Sequence, residues 1–239
     1  MIEAVTFDFW NTLIADGGGA GRDQRLDAWL GVLEDAGFAT ERASLDAAMA
    51  SSWERFLSSW ATNEQYTHVD AAVHIVESLG YTLPPGVHDA LVATFTYSTS
   101  NYPSPTEGVG DCLQTLSAAG VRLGIICDVG MTPSSALREV LEHHGLLSFF
   151  DHWSFSDEVG HYKPSAAIFT HALGGLGGVS PSAAAHVGDL RRTDIAGALS
   201  FGMTAVRYTG AFDDVEGEGP EATFVVASHS ELPGVLGIA

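Results

Sequence analysis

Lysine is all but missing from this chain of 239 residues. Ten Lys and Arg stand against thirty Asp and Glu, and only one of the ten, Lys163, is a lysine. The formal charge of −20 disfavours nucleic acid and anionic membrane as partners, since both need a positive footprint. An anionic substrate must therefore be met by local positive charge. Cysteine is as scarce: Cys112 and Cys127 are the only two. They make neither a disulfide framework nor a zinc site, and a reducing cytosol is the simplest setting. No signal-peptide pattern opens the chain, and no apolar run approaches the roughly 18 residues that span a bilayer. These absences lead us to expect a soluble cytoplasmic protein. With 46% hydrophobic and 17% charged residues, the composition is that of a well-buried globular chain and not a disordered one.

What is present is periodic. An apolar stretch around Val5–Phe7 predicts a strand over residues 2–9, broken at Asp16-Gly17-Gly18-Gly19. From about Gln24 to Ser100 the spacing turns helical. Leu26, Trp29, Leu30 and Leu33 form one stripe, and Leu45, Met49, Trp53, Phe56, Leu57 and Trp60 a second. Val69, Val73, Val76 and Leu79 form a third, and Val87, Leu91 and Phe95 a fourth. We expect a four-helix insert whose core these stripes fill. Short β-branched runs at 121–127, 152–155, 184–187, 204–208 and 223–227 then alternate with helical segments. That alternation predicts an α/β fold with a doubly wound parallel sheet. The expected division is a core of 1–15 with 101–239, and a helical insert of 16–100. The Gly17-Gly18-Gly19 run reads equally as a hinge or as a plain surface turn.

In such a sheet, ligands sit outside the carboxyl ends of the strands. The residues just past the strands are Asp8, then Cys127 and Asp128, then Lys163 in HYKP, then Asp189 and Asp194 in GDLRRTD. A chain that avoids lysine yet places its one Lys at a strand–helix junction has a use for it. An ammonium there would neutralise a buried nucleophilic carboxylate and hold an anion. Converging carboxylates repel, raise one another's pKa and ask for a cation. Oxygen ligands without a His or Cys cluster suit Mg²⁺. Thr193 and Asp194 also fit as caps of the helix that follows.

In this order, Asp8-x-x-x-Thr12, helical insert, Cys127, Lys163-Pro164 and Gly188-Asp189-x-x-x-x-Asp194 resemble the haloacid dehalogenase superfamily across essentially the whole chain. The resemblance implies a Rossmann-like core with a helical-bundle cap of the C1 type inserted after the first strand. It implies that Asp8 is the nucleophile and that Lys163 orients it and the substrate anion. Asp8, the Trp10 backbone carbonyl and Asp189 would hold Mg²⁺, with Asp194 supporting the metal's waters. Thr12 would steady the loop, while Asn11, Cys127, Asp128 and Lys163 would line the substrate. The implied activity is that of a phosphatase working on a small monophosphate through an aspartyl-phosphate.

Two positions depart from that pattern. Two residues past the nucleophile, the superfamily's phosphatases carry an acid that protonates the leaving group and later activates water. Here the residue is Trp10, which can do neither, and losing a general acid–base costs about 10²–10⁴ in rate. Where a Ser or Thr hydroxyl is usual, Cys127 offers a weaker donor. Asp128 beside it is a possible substitute acid. The superfamily's dehalogenases carry an aromatic at the position of Trp10, need no proton for halide departure and need no metal. They also place an Arg on the substrate from just beyond the first motif, where Arg22 and Arg25 lie here without a matching spacing. Three readings follow: a Mg²⁺-dependent phosphatase, a metal-free dehalogenase-like hydrolase, and a non-catalytic homologue that binds a phosphorylated ligand or a partner. The oligomeric state is not encoded in any pattern of the chain.

Overall fold

The structure, a computed structural model, describes residues 1–15, 20–97 and 101–238. The Gly17-Gly18-Gly19 run and the two expected boundaries of the insert lie outside the described residues. The chain opens with β1 (Ala4–Phe7) and continues through α1 (Ala20–Asp35), α2 (Arg42–Thr62), α3 (His68–Ser78) and α4 (Pro85–Val92). It then runs α5 (Val109–Ala118), β2 (Arg122–Cys127), α6 (Ser134–His143), β3 (His152–Phe155), α7 (Ser156–Val159) and α8 (Ala166–Gly175). The last part is β4 (Ala184–Gly188), α9 (Ala196–Phe201), β5 (Thr204–Tyr208), β6 (Phe224–Val226) and α10 (Leu232–Val235). Among the described residues, no helix is long and apolar enough to cross a membrane.

The six strands form one parallel sheet in the order β3-β2-β1-β4-β5-β6. This is the doubly wound, Rossmann-like arrangement that the alternation of runs implies. β1 is buried at all four positions, and β2 at all but Arg122. Such near-continuous apolar runs are what a parallel sheet with flanking helices requires. Ile168, Phe169 and Leu173 of α8 pack with Ala198 of α9 against Ala4 and Ile126 of the sheet. Burying a side chain such as Phe169 contributes about 1.5–3 kcal/mol.

The order has a functional consequence. From β1 the chain winds outward to β2 and β3, then returns to add β4 on the other flank of β1. The crevice outside the carboxyl ends of β1 and β4 is therefore the switch point of the sheet. Phe7 lies opposite Val187 of β4 and Ile125 of β2, so residues 189 and 127 share one level, a single residue beyond that of Asp8.

The chain separates into two compact units: Met1–Asp16 with Pro103–Asp128 and Arg138–Ala239, and Gly17–Tyr102 with Val129–Leu137. The second unit contains α1–α4 and also takes in a short segment after β2. Its stripes are buried only in part. Leu26, Trp29, Leu33, Leu45, Met49, Phe56, Leu91 and Phe95 are core. Trp53, Leu57, Val69 and Val73 are exposed, at 40–46%. On α3 the buried face is Ala71, Ala72, Ile75 and Val76. Small alanines let that helix approach its neighbours closely, and the larger valines at 69 and 73 are turned outward.

Candidate active site

The site is built where β1 ends. Asp8 follows Phe7 directly, and its N–H donates to the Val187 carbonyl at 2.8 Å. The chain then turns back at once. Leu13 and Ile14 donate to the Phe9 carbonyl at 3.0 and 2.9 Å, and Asn11 donates to the Ile14 carbonyl at 2.7 Å. The turn needs one left-handed residue, Asn11 at φ 54°, and Asn is among the few non-glycine types that accept that conformation readily. The Asn11 amide then reaches Asp189, donating to Oδ2 at 3.4 Å. The Trp10 ring is half-buried and stands edge-on to Phe9, with ring centroids 4.9 Å apart.

Lys163 occupies the centre. It is 2% exposed, and its Nζ donates to Asp8 Oδ1, to Asp194 Oδ1 at 2.6 Å and to the Ile126 carbonyl at 3.1 Å. Three acceptors satisfy the three ammonium protons. The Lys163 backbone N–H donates to Asp128 Oδ1 at 2.8 Å, so this carboxylate braces the loop that carries the lysine. Burial works against the Lys163 charge, but Asp194 and Asp8 outweigh it and hold the ammonium protonated.

Asp194 has four donors. Lys163 and His186 Nε2 (3.0 Å) share Oδ1, while the Leu190 N–H (3.1 Å) and the Thr193 hydroxyl (3.3 Å) share Oδ2. These fill the lone pairs of a carboxylate. Lys163 and His186 keep it well below the usual carboxylate range against its burial. His186 is buried and neutral, its pKa lowered mainly by burial. Its partners fix the tautomer: Nε2–H donates to Asp194, and Nδ1 accepts from the Thr6 hydroxyl at 2.9 Å. Asp194 does not cap the helix that follows, since α9 begins without a side-chain cap. Residues 191–195 instead form a π-type turn, a feature frequent at functional sites.

Asp189 follows β4 and is buried with Asp8 and Asp194, one ligand oxygen of each lying within 4.8 Å of the others. Burial, and then repulsion from Asp8 and Asp194, pushes Asp189 up to about 8. Burial raises Asp8 to about 7 although Lys163 opposes the shift. Two of the three carboxylates thus share one ammonium, and the third, Asp189, receives only the Asn11 amide among the described residues. The donor set is oxygen alone, which fits a hard divalent cation.

Cys127, at the end of β2, is fully buried, and its thiol makes a long contact of 3.6 Å to the Asp128 carbonyl. Burial holds its pKa well above the ordinary value, so it is a neutral thiol. The Thr12 hydroxyl is buried without a hydrogen-bond partner among the described residues. It is the Thr12 carbonyl that is held, by Thr106 Oγ1 at 2.6 Å and His229 Nε2 at 2.9 Å. In the helical unit, Arg22 pairs with Asp46 on the surface at 2.7 Å. Arg25 lies 5.2 Å from the centroid of the Phe95 ring and donates to Thr132 at 3.4 Å.

The strand-end rule therefore brings together Asp8, Cys127, Asp128, Lys163, Asp189 and Asp194, while Asn11, named by the resemblance, joins them through Asp189 and Trp10 stands against Phe9. The rule misses Thr6, Thr106, His186 and His229. His186 and Thr6 carry a legible signal, each being a polar residue inside an otherwise apolar strand.

Residues 2–202 match the family of haloacid dehalogenase-like hydrolases. The chain is 38% identical over 134 residues to pyrimidine 5'-nucleotidase YjjG of Escherichia coli (strain K12), which is 56% of this chain and 57% of that protein. It thus spans little more than half the length of that relative. It is 29% identical over 219 residues to a glyceraldehyde 3-phosphate phosphatase of Methanopyrus kandleri, covering 90% of this chain and 88% of that one. Among solved structures, the 2-haloacid dehalogenase of Pseudomonas syringae pv. Tomato DC3000 superposes with a TM-score of 0.71 at 24% identity, over 99% of both chains. At that identity the likeness is one of fold.

Proposed function

The chain belongs to the haloacid dehalogenase-like hydrolases, and within them we propose that it is a Mg²⁺-dependent phosphatase acting on a small phosphorylated metabolite in the cytoplasm. The observation that carries this reading is the buried cluster of three carboxylates around one ammonium at the switch point of the sheet. A metal-free displacement has no use for Asp189 beside Asp8, because their mutual repulsion goes uncompensated. The kinship with a nucleotidase and a sugar-phosphate phosphatase supports the same chemistry.

In this reading Asp8, the Trp10 carbonyl and Asp189 hold the cation, and Asp194, its lone pairs occupied, fixes Lys163. When bound, Mg²⁺ supplies positive charge that offsets the substrate phosphate and the acidic cluster. Lys163 engages Asp8 Oδ1 and leaves Oδ2 without a hydrogen bond among the described residues. Asp8 Oδ2 attacks phosphorus, a new O–P bond forms, and the ester P–O bond breaks with its electron pair leaving on the alcohol oxygen. Water then attacks the aspartyl-phosphate, releasing inorganic phosphate and freeing Asp8. Lys163 stabilises the anion in both steps. Asn11 orients Asp189, and the Cys127 thiol lines the phosphate pocket as a weak donor. The helical unit we read as the substrate-selecting cap.

Trp10 sets the substrate range. With no proton to donate at that position, leaving groups must depart as anions, so aryl and acyl phosphates turn over well and simple alkyl phosphates poorly. The deciding experiment is hydrolysis of p-nitrophenyl phosphate by wild type and Asp8→Asn, with Mg²⁺ and with EDTA. Release that requires both Asp8 and Mg²⁺ supports the reading; release that persists in EDTA or in Asp8→Asn sinks it. Trp10 also favours a second reading, metal-independent hydrolysis of a 2-haloacid through an Asp8 ester. Its mark is halide release from 2-chloropropionate in EDTA.

A further inference from the structure

The nucleophile turn is held from behind by a part of the chain beyond residue 202, where the family match ends. His229 is fully buried. It opens a single 3₁₀ turn, His229–Glu231, whose entry is fixed by a capping box on Ser228. Its ring stacks on Tyr208 with centroids 4.2 Å apart and planes 21° from parallel. Nε2 lies 2.9 Å from the Thr12 carbonyl and 3.0 Å from Thr106 Oγ1. Thr106 in turn donates its one hydroxyl proton to the Thr12 carbonyl at 2.6 Å, and its N–H to the Leu13 carbonyl at 3.0 Å.

Counting protons assigns the tautomer. A carbonyl can only accept, so the imidazole must carry its hydrogen on Nε2 and donate to Thr12. Nδ1 is then a bare lone pair, and it has no partner among the described residues. The Thr12 carbonyl thereby receives two donors from residues 94 and 217 positions away in the chain. Both of its lone pairs are used on a turn whose other hydrogen bonds are mostly local. That turn carries Trp10 and Asn11, two and three residues past Asp8.

We propose that His229 and Thr106 form a clamp on the Thr12 carbonyl that sets the nucleophile turn, with His229 a positioning residue for Asp8. The C-terminal segment is on this account a working part of the catalytic apparatus and not only a covering of the sheet. His229 touches no reacting atom. It acts by holding the turn in the one geometry that points Asp8 out of β1 and brings the Asn11 amide to Asp189. Misplacing a reacting group by about 1 Å costs on the order of 10²-fold in rate.

Two substitutions separate donation from packing. His229→Phe keeps a flat ring against Tyr208 and deletes the donor; His229→Gln sets an amide N–H near the place of Nε2. Two readouts apply to each. The first is turnover of p-nitrophenyl phosphate, and the second is hydrogen exchange of the Asn11, Leu13 and Ile14 amides. In H229F we expect kcat to fall by roughly 10–100-fold with KM moving little, and exchange to quicken over residues 9–14 while the sheet stays protected. H229Q should recover most of both. If H229F does not fold, Thr106→Val removes the other donor to the same carbonyl and should show the same pair of changes. Wild-type kcat and wild-type protection in folded H229F would overturn the proposal, as would H229Q behaving like H229F. The turnover arm rests on the phosphatase reading and the exchange arm does not. Absence of Asp8-dependent turnover in wild type would remove that reading alone, leaving exchange to decide the clamp.

Discussion

Replacing Lys163 by Met tests the centre of the site directly. The substitution removes an ammonium that touches Asp8 Oδ1 and lies 2.6 Å from Asp194 Oδ1, both buried, and it leaves two carboxylates facing an apolar thioether. Removing one partner of a buried ion pair costs about 3–5 kcal/mol. The cheapest escape is for the orphaned cluster to take up a proton. Against an ordinary aspartate value of 3.8, that uptake costs about 4 kcal/mol at pH 7 and about 2 kcal/mol at pH 5, at about 1.36 kcal/mol per pH unit. A carboxyl whose folded pKa stands above its unfolded value favours the folded state less and less as pH rises from 3.8. The penalty of K163M must therefore grow with pH. Urea denaturation of wild type and K163M at both pH values gives the two differences. We expect about 2 kcal/mol at pH 5, about 4 kcal/mol at pH 7 and no turnover at either. A penalty under about 1 kcal/mol, or one that does not change with pH, would refute a buried lysine that neutralises the cluster.

Three further outcomes follow from named contacts. A Cβ at Gly188 would collide with the Asp194 side chain; Gly188→Ala should cost about 1–3 kcal/mol in thermal unfolding and cut turnover by about tenfold or more. Burial depresses His229 from 6.5 to about 4. Its neutral form is the folded one, so its contribution is complete above pH 6.5 and is lost as pH falls towards 4. The loss amounts to about 3 kcal/mol at most, and H229F should flatten that part of the stability–pH curve. Burial raises the Cys112 thiol to about 12 and Cys127 well above its ordinary value. Ellman's reagent should leave both unreacted in the native protein and titrate two thiols after denaturation; rapid labelling of the native state would contradict the burial.

The lone lysine, the acids past the strands, the short β-branched runs and the helical stripes were enough to read the fold class and the convergence of Asp8, Lys163, Asp189 and Asp194. These features are local: a strand run encodes its own burial, and a parallel sheet dictates that strand ends share one side. Local pattern also shows that a helix has an apolar stripe. It does not say which residues the neighbours will cover, and so Trp53, Leu57, Val69 and Val73 stand exposed where their spacing alone put them inside.

What tertiary structure alone decided is who holds whom. Thr106 reaches Thr12 across 94 positions of sequence, and His229 reaches it across 217. Neither pairing leaves a mark on its own neighbourhood in the chain. The sequence determined which chemical groups would gather outside β1 and β4. The packed sheet decided that Asp194 would spend its lone pairs on Lys163, His186, Leu190 and Thr193 while Asp189 received the Asn11 amide, because burial makes every unmatched charge costly.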